Sequence, residues 1–444
     1  MESVCIVGAG PAGLAAAAAL KEKQIPFQIV DEGPAIGGIW DIDRPETPMY
    51  RSAHFISSRS LSGFPGHPMP DDFPDYPRHD LVLRYIRSYA ERHGLSDDAL
   101  MRTRVAKAVP VARAGGDPER WRLTLVRNGT GEETREFAGL VLATGANWHP
   151  NVPELPGTFE GEVRHSFHYT SPEELRGRRV LVVGAGNSGV DIACDAARTA
   201  DRAFLSLRRG YRFVPKYVFG TPADVFAHGG PPLPAWLERR LFSFLLDRVL
   251  VGDLRRYGLP RPDHHVLASH PIMNTQVLHH LGHGDLHARP DVERLDGDGV
   301  RFVDGTRERV DLVILATGYR RIFPFLELPD GAAGDREIPS EDLYLNLLHR
   351  SHPTLFVMGL FETDGAAYGL FGAQAAVVAD ALAAVRDGGD GAGRLAERVA
   401  NDRPDLTGGR RFVDSPRHRY YVTDRAYRRA LKDLCRTMGW APPP

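Results

Sequence analysis

Short apolar runs that stop at glycine organise this chain. Val4-Cys5-Ile6-Val7 ends at Gly8, Leu140-Val141-Leu142-Ala143 at Thr144-Gly145, Val180-Leu181-Val182-Val183 at Gly184, and Leu312-Val313-Ile314-Leu315 at Ala316-Thr317-Gly318. Runs this short and apolar, closed by glycine, predict strands. After the first and third runs the pattern turns helical, over Leu14 to Lys23 and from the second glycine turn through Ala197. Further strands are expected at Phe27–Val30 and Ala203–Leu207. Strand, glycine turn, helix and strand thus occur twice. This order predicts an α/β protein with two Rossmann-like dinucleotide-binding domains. The two Ala-Thr-Gly runs bracket the second unit, so that unit is expected to be inserted into the first domain. The expected boundaries are 1–170 with 311–444 for the first domain and 171–310 for the second. A Pro-punctuated helical insertion is expected at about 220–275, amphipathic from Trp236 to Arg256.

Each glycine in Gly8-Ala9-Gly10-Pro11-Ala12-Gly13 has a physical task. Gly8 allows the tight turn, Gly10 lets a pyrophosphate approach the helix N-terminus, and Gly13 lets the helix lie close to the strand. Asp31 follows the second strand, where an acid accepts hydrogen bonds from an adenosine ribose. In the second unit the glycines are Gly184, Gly186 and Gly189, with Asn187 and Ser188 opening the helix. At nearly the same distance, Arg208 and Arg209 replace the acid. Guanidinium groups bind a 2′-phosphate by charge and paired hydrogen bonds, whereas an acid would repel it. The first turn therefore suits FAD and the second NADPH.

Composition narrows the remaining classes. The 444 residues carry 55 Lys and Arg against 57 Asp and Glu, a net charge of -2 that points to no nucleic-acid partner. Cys5, Cys194 and Cys435 form no C-x-x-C pair, which argues against a redox disulfide and a zinc ribbon, and no metal is expected. Leu241 to Val251, read as the most lipophilic stretch, is interrupted by Asp247 and Arg248 and is too short to span a bilayer. No membrane contact and a cytoplasmic location are expected. Oligomeric state is left open, a homodimer among the options.

Phe159-x-Gly161-x-x-x-His165-x-x-x-Tyr169 stands just before the second turn, and Gly37-Gly38-Ile39-Trp40 follows the first unit. With these motifs the chain resembles the flavin-containing monooxygenases, part of the class B flavoprotein monooxygenases. The related Baeyer–Villiger enzymes carry Trp where this chain has Tyr169. The resemblance implies that Gly38 and Trp40 run along FAD, together with Thr144 and Gly145. It implies that NADPH reduces FAD, that O2 forms a C4a-peroxyflavin, and that one oxygen atom passes to nitrogen or sulfur of a small substrate. The alternatives are Baeyer–Villiger oxygenation of a ketone and an NADPH-dependent flavin reductase without oxygenation. No acid–base residue is required. His165 is read as fixing the connection between domains. One departure is evident: Ile56 occupies the position where the family usually places an Asn near the flavin. His54, Ser57, Ser58 and Arg59 are polar neighbours, and Ile56, Ser57, Ser58 and Asn274 are the candidate lining of the oxygen site.

Overall fold

The computed structural model describes residues 3–444 except 113–118, 128–130, 230–234, 330 and 332–333, and only the backbone of 228, 235–236, 238–239 and 416. The Trp236 side chain, with which the expected amphipathic stretch begins, thus lies outside the described residues.

Val4–Val7 forms the heart of a seven-stranded sheet. It pairs in parallel with Phe27–Val30 on one side and Gly139–Leu142 on the other. All four of its residues are buried, as a strand covered on both faces must be. Leu355–Val357, Leu348–His349 and Leu343–Tyr344 extend one edge, and Ala99–Leu100 closes the other. An antiparallel meander of Thr103–Val111, Arg120–Arg127 and Gly131–Phe137 leads back into the sheet. The helix Pro11–Glu22 starts inside the first glycine turn, with Pro11 where a helix has no use for an N–H. Ala15, Ala16, Ala17 and Ala18 are buried, and these small side chains let the helix lie against Ala367–Asp387. That 21-residue helix, rather than Leu241 to Val251, is the one described helix long and apolar enough to cross a membrane. It is a core helix, packed between Pro11–Glu22 and Asp424–Met438.

The second sheet has five parallel strands in the order Glu162–His165, Leu312–Leu315, Arg179–Val183, Arg202–Ser206 and Leu286–Arg289. The boundaries expected at 170/171 and 310/311 cut through it. Both Glu162–His165 and Leu312–Leu315 belong to this sheet, and the first domain resumes only after Gly318. The two Ala-Thr-Gly runs look alike along the chain, so their partners are decided by pairing that local sequence does not record. Between Arg202–Ser206 and Leu286–Arg289 lies the insertion, with helices Ala235–Phe244 and Gln276–His283 and a π turn over Leu245–Leu250.

Candidate functional site: two glycine turns and their surroundings

The two turns repeat each other atom for atom. Gly8 donates its N–H to the Val30 carbonyl at 2.8 Å and Gly184 to that of Ser206 at 3.0 Å. Both lie at positive φ, +116° and +103°. A Cβ at Gly8 would meet the Ala143 carbonyl oxygen at 2.4 Å, and one at Gly184 the Ala316 oxygen at 2.5 Å. A Cβ at Gly13 would sit 1.9 Å from the Gly8 oxygen, and one at Gly189 2.1 Å from the Gly184 oxygen. The middle glycines differ from these. A Cβ at Gly10 would meet nothing nearer than Gly38 Cα at 3.6 Å, and one at Gly186 nothing nearer than Arg417 Nη1 at 3.9 Å. Protein packing thus accounts for the outer glycines and leaves space beside the middle one. Each helix opens there without a capping side chain, so its first N–H groups are free for an anion.

The residues after the second strands diverge. Asp31 accepts hydrogen bonds from the N–H groups of Ala9 at 2.7 Å and Gly33 at 2.6 Å, and Arg44 reaches it at 3.3 Å. The buried Arg44 also lies over the Trp148 ring, 4.2 Å from its centroid. Arg44 is not expected from sequence, because no motif fixes its spacing. In the second unit Arg208 is exposed. Arg209 lies over Tyr211 at 5.4 Å, and its buried Nε has no partner among the described residues.

The loops that follow the Ala-Thr-Gly strands are fastened in different ways. Trp148 Nε1 donates to the Thr144 carbonyl at 2.6 Å beside Gly145. In the second, His165 Nε2 pairs with the Gly318 carbonyl at 3.0 Å while its Nδ1 accepts from Phe167 N–H at 3.1 Å. That pattern fixes the neutral Nε2–H tautomer, and burial holds the imidazole down at about 4. The other fingerprint residues serve the same junction. A Cβ at Gly161 would strike the Phe159 ring at 2.7 Å and the Asp311 oxygen at 2.6 Å. The Tyr169 hydroxyl donates to Asp195 at 3.0 Å, with its ring 5.6 Å from Tyr50.

Within Ser52 to Phe64, Ile56 and Ser58 meet the insertion. Ile56 packs against the cluster of Val218, Ala223 and Met273, as do Val214, Phe226, Leu245 and Leu250. The Ser58 N–H donates to Asp224 at 2.6 Å, and the Ser58 hydroxyl meets Ser60 at 3.3 Å. Ser57 is half-buried beside them, and His54 is exposed, with Nδ1 at 2.8 Å from the Ser52 carbonyl. Phe55 turns the other way, against Trp40 at 5.3 Å and Tyr368 at 5.5 Å. Asn274 stands apart from Ile56's cluster in its bonding. Its amide donates to Asp191 at 2.6 Å and its oxygen accepts from Gln276 N–H at 2.8 Å, opening the helix Gln276–His283. Asp191, which burial pushes above the usual carboxyl range, also accepts from Tyr50 at 3.1 Å.

A further group, beside the second turn, is not legible in the sequence. Arg417, about 230 residues beyond the second turn, is placed there by the return of the chain end, and no local pattern announces it. Its guanidinium is 3.7 Å from Glu362, which Arg321 also reaches at 2.9 Å and His270 at 3.7 Å. Burial would raise the Glu362 carboxyl, but Arg417, His270, Arg321 and His418 hold it down at about 2. Among the described residues no cluster of His, Cys, Asp or Glu could hold a metal, and the three cysteines are buried and unpaired.

Two dinucleotide turns, each following a parallel strand of its own sheet, have the form of a protein that binds two dinucleotides. The model of the FMO-like family, flavin-binding monooxygenase-like proteins, matches residues 1–389. This chain belongs to that family and is an NADPH-dependent flavoprotein monooxygenase. It is 33% identical over 348 residues to an indole-3-pyruvate monooxygenase, YUCCA8, of Oryza sativa subsp. indica, covering 74% of this chain and 79% of the relative. It is 30% identical over 388 residues to flavin-containing monooxygenase 5 of Oryctolagus cuniculus, covering 82% and 70%. Its fold is similar to that of OTEMO in complex with FAD and NADP, with a TM-score of 0.66 at 19% identity over 87% of this chain and 84% of that one. FAD and NADP are accordingly its cofactors.

Proposed function

We propose that the first turn holds FAD, the second holds NADPH, and one atom of O2 passes to nitrogen or sulfur of a small organic substrate. The turns fit the two groups. Beside Gly10 and Gly186 there is room for a pyrophosphate at a free helix N-terminus. The unpartnered Nε of Arg209 and the exposed Arg208 offer cations to a 2′-phosphate on the second turn alone. When bound, FAD supplies the chemistry of O2 activation after NADPH has reduced it. The chain's own work is to bind, orient and exclude water. Gly38 forms the wall opposite Gly10, since a Cβ on it would lie 3.0 Å from Gly10 Cα, and Trp40 ends the short turn that Gly38 begins. The insertion closes over Ile56 with Val218, Ala223 and Met273, an apolar cover that keeps water from the reacting atoms.

The choice of nitrogen or sulfur rests on Tyr169, buried against Asp195 in the fingerprint position where the Baeyer–Villiger pattern has Trp. A second reading, attack on a carbonyl, is favoured by the identity with the rice indole-3-pyruvate monooxygenase. Amines, sulfides, ketones and 2-oxo acids incubated with NADPH and labelled O2 separate the two. A labelled N- or S-oxide supports the first reading. An ester, or a carboxylic acid one carbon shorter released with CO2, overturns it in favour of the second.

Ile56 offers no hydrogen-bond donor to an oxygen species beside it. Without substrate the wild type is therefore expected to consume NADPH and release H2O2. Ile56→Asn should slow substrate-free NADPH consumption and H2O2 release by roughly tenfold, with one H2O2 still formed per NADPH, if one charge-assisted hydrogen bond of about 1.5–3 kcal/mol is restored. An unchanged rate would assign that task to another group. We place the protein in the cytosol, in keeping with Cys5, Cys194 and Cys435 as buried free thiols.

A further inference from the structure

The segment after residue 400 is tied both to the first domain and to the insertion. Tyr421–Val422 pairs in parallel with Glu362–Thr363 of the first domain. Val413 N–H donates to the Ala268 carbonyl of the insertion at 2.8 Å, and His270 N–H donates to His418 Nε2 at 3.2 Å. Ser415 holds the other nitrogen of His418 at 2.8 Å. The backbone at Arg417 is therefore fixed from two sides, and Arg321 reaches its carbonyl at 3.5 Å.

The Arg417 side chain is held much less firmly. It is 38% exposed and makes no hydrogen bond among the described residues. Its one carboxylate neighbour, Glu362 at 3.7 Å, already has Arg321 at 2.9 Å, so a departing Arg417 would not leave a buried charge unpaired. Arg417 Nη1 is also the heavy atom nearest the open space beside Gly186, 3.9 Å from the point where a Cβ would stand. That space lies at the N-terminus of Asn187–Thr199, where the helix has no capping side chain. On the first turn the corresponding space faces the neutral backbone of Gly38.

We propose that Arg417 binds the pyrophosphate of NADPH, leaving Glu362 to Arg321 and closing over the second turn when the dinucleotide arrives. The proposal rests on the reading that the second turn holds NADPH. Arg417 then recognises the part that NADPH and NADH share, whereas Arg208 and Arg209 recognise the 2′-phosphate. A guanidinium facing a pyrophosphate across a helix N-terminus adds charge-assisted hydrogen bonds to those of the free N–H groups.

Calorimetric titration of the oxidised, FAD-loaded protein with NADP, NAD and adenosine 2′-monophosphate tests this. The last probe carries the 2′-phosphate and no pyrophosphate. Arg417→Ala should weaken NADP and NAD by the same factor, about tenfold or more, and leave adenosine 2′-monophosphate unchanged. Arg417→Lys should recover part of the loss. Arg208→Ala with Arg209→Ala should do the reverse, weakening NADP and adenosine 2′-monophosphate and sparing NAD. Unchanged NADP and NAD affinity in Arg417→Ala would overturn the role of Arg417 and leave the second-turn reading intact. So would an equal loss of all three probes together with a lowered melting temperature, which would make Arg417 a strut of the returning segment. Equal loss of NAD and NADP in Arg208→Ala with Arg209→Ala would make those arginines structural; if Gly186→Val leaves NADP and NAD affinity unchanged, the second-turn reading fails and the proposal with it.

Discussion

The two glycine turns share one backbone and differ in what surrounds it. A Cβ at Gly8 or Gly184, and one at Gly13 or Gly189, would meet equivalent carbonyl oxygens at distances within 0.2 Å of each other. Around this common frame the first turn has Asp31 with Arg44 and faces the backbone of Gly38. The second has Arg208 and Arg209 and faces Arg417. In the assignment proposed above, fold and ligand choice are carried by different residues. The outer glycines serve packing, whereas the middle glycine and the groups facing it are assigned to the dinucleotide.

The middle glycines give the sharpest way to break this comparison. Gly10 and Gly186 have ordinary backbone angles, φ of -83° and -70°, and room for a side chain. Gly10→Val should fold and lose flavin completely, read as loss of visible flavin absorbance. Gly186→Val should stay yellow and fail to be reduced by NADPH. Loss of flavin from Gly186→Val instead would reverse the assignment of the two turns. The outer glycines should behave alike in both units. Gly13→Ala or Gly189→Ala drives a methyl group into a backbone oxygen, an overpacking cost of about 3 kcal/mol. The expected readout is a lowered melting temperature or loss of folded protein, whichever turn is changed. Removing Arg208 and Arg209 together should weaken NADPH by about a hundredfold or more, at about 1.5–3 kcal/mol for each charge-assisted hydrogen bond to the 2′-phosphate. Asp31→Asn should leave NADPH affinity unchanged and weaken flavin retention, which dialysis against salt would reveal.

Acid should loosen the fastening of the second Ala-Thr-Gly loop and spare that of the first. Trp148, which fastens the first Ala-Thr-Gly loop, does not titrate, whereas His165 fastens the second. Burial holds His165 at about 4 in the fold, below the 6.5 of a free histidine. Between those values the unfolded chain binds the extra proton. The contribution of neutral His165 is therefore complete above about pH 6.5 and declines as pH falls toward 4, by on the order of 1–2 kcal/mol near pH 5. His270, at about 3, and His418, at about 4, act in the same direction through the returning segment. Melting temperatures of wild type and His165→Gln between pH 7 and 5 measure the His165 share, and the variant should show the shallower decline.

What is legible in the sequence is local. Gly8 to Gly13 and Gly184 to Gly189 lie within six residues each, so spacing alone places strand, turn and helix. The helices start at Pro11 and Asn187, inside the turns rather than after them, because the middle glycine itself stands at the N-cap. Pairing between distant residues is not legible. Leu312–Leu315 is expected in the first domain, and only its pairing with Arg179–Val183 and Glu162–His165 shows where it belongs. Asn274 is a sequence candidate for the oxygen site, whereas its hydrogen bonds go to Asp191 and Gln276. Arg44 and Arg417 sit in no motif, since each works through a partner far along the chain or through the return of a loop.

The order of the second sheet has a consequence for how the protein comes into being. Leu312–Leu315 separates Glu162–His165 from Arg179–Val183, strands made some 130 residues before it. During synthesis those earlier strands are present without the neighbour that each requires, and their apolar edges stay open until the middle strand arrives. The first sheet is completed later still, by Leu343–Tyr344, Leu348–His349 and Leu355–Val357. A growing chain therefore carries two unfinished sheets for much of its elongation. Pulse-labelled chains stalled at residue 300 should be protease-sensitive throughout, and chains stalled at 400 should acquire resistance in both sheets.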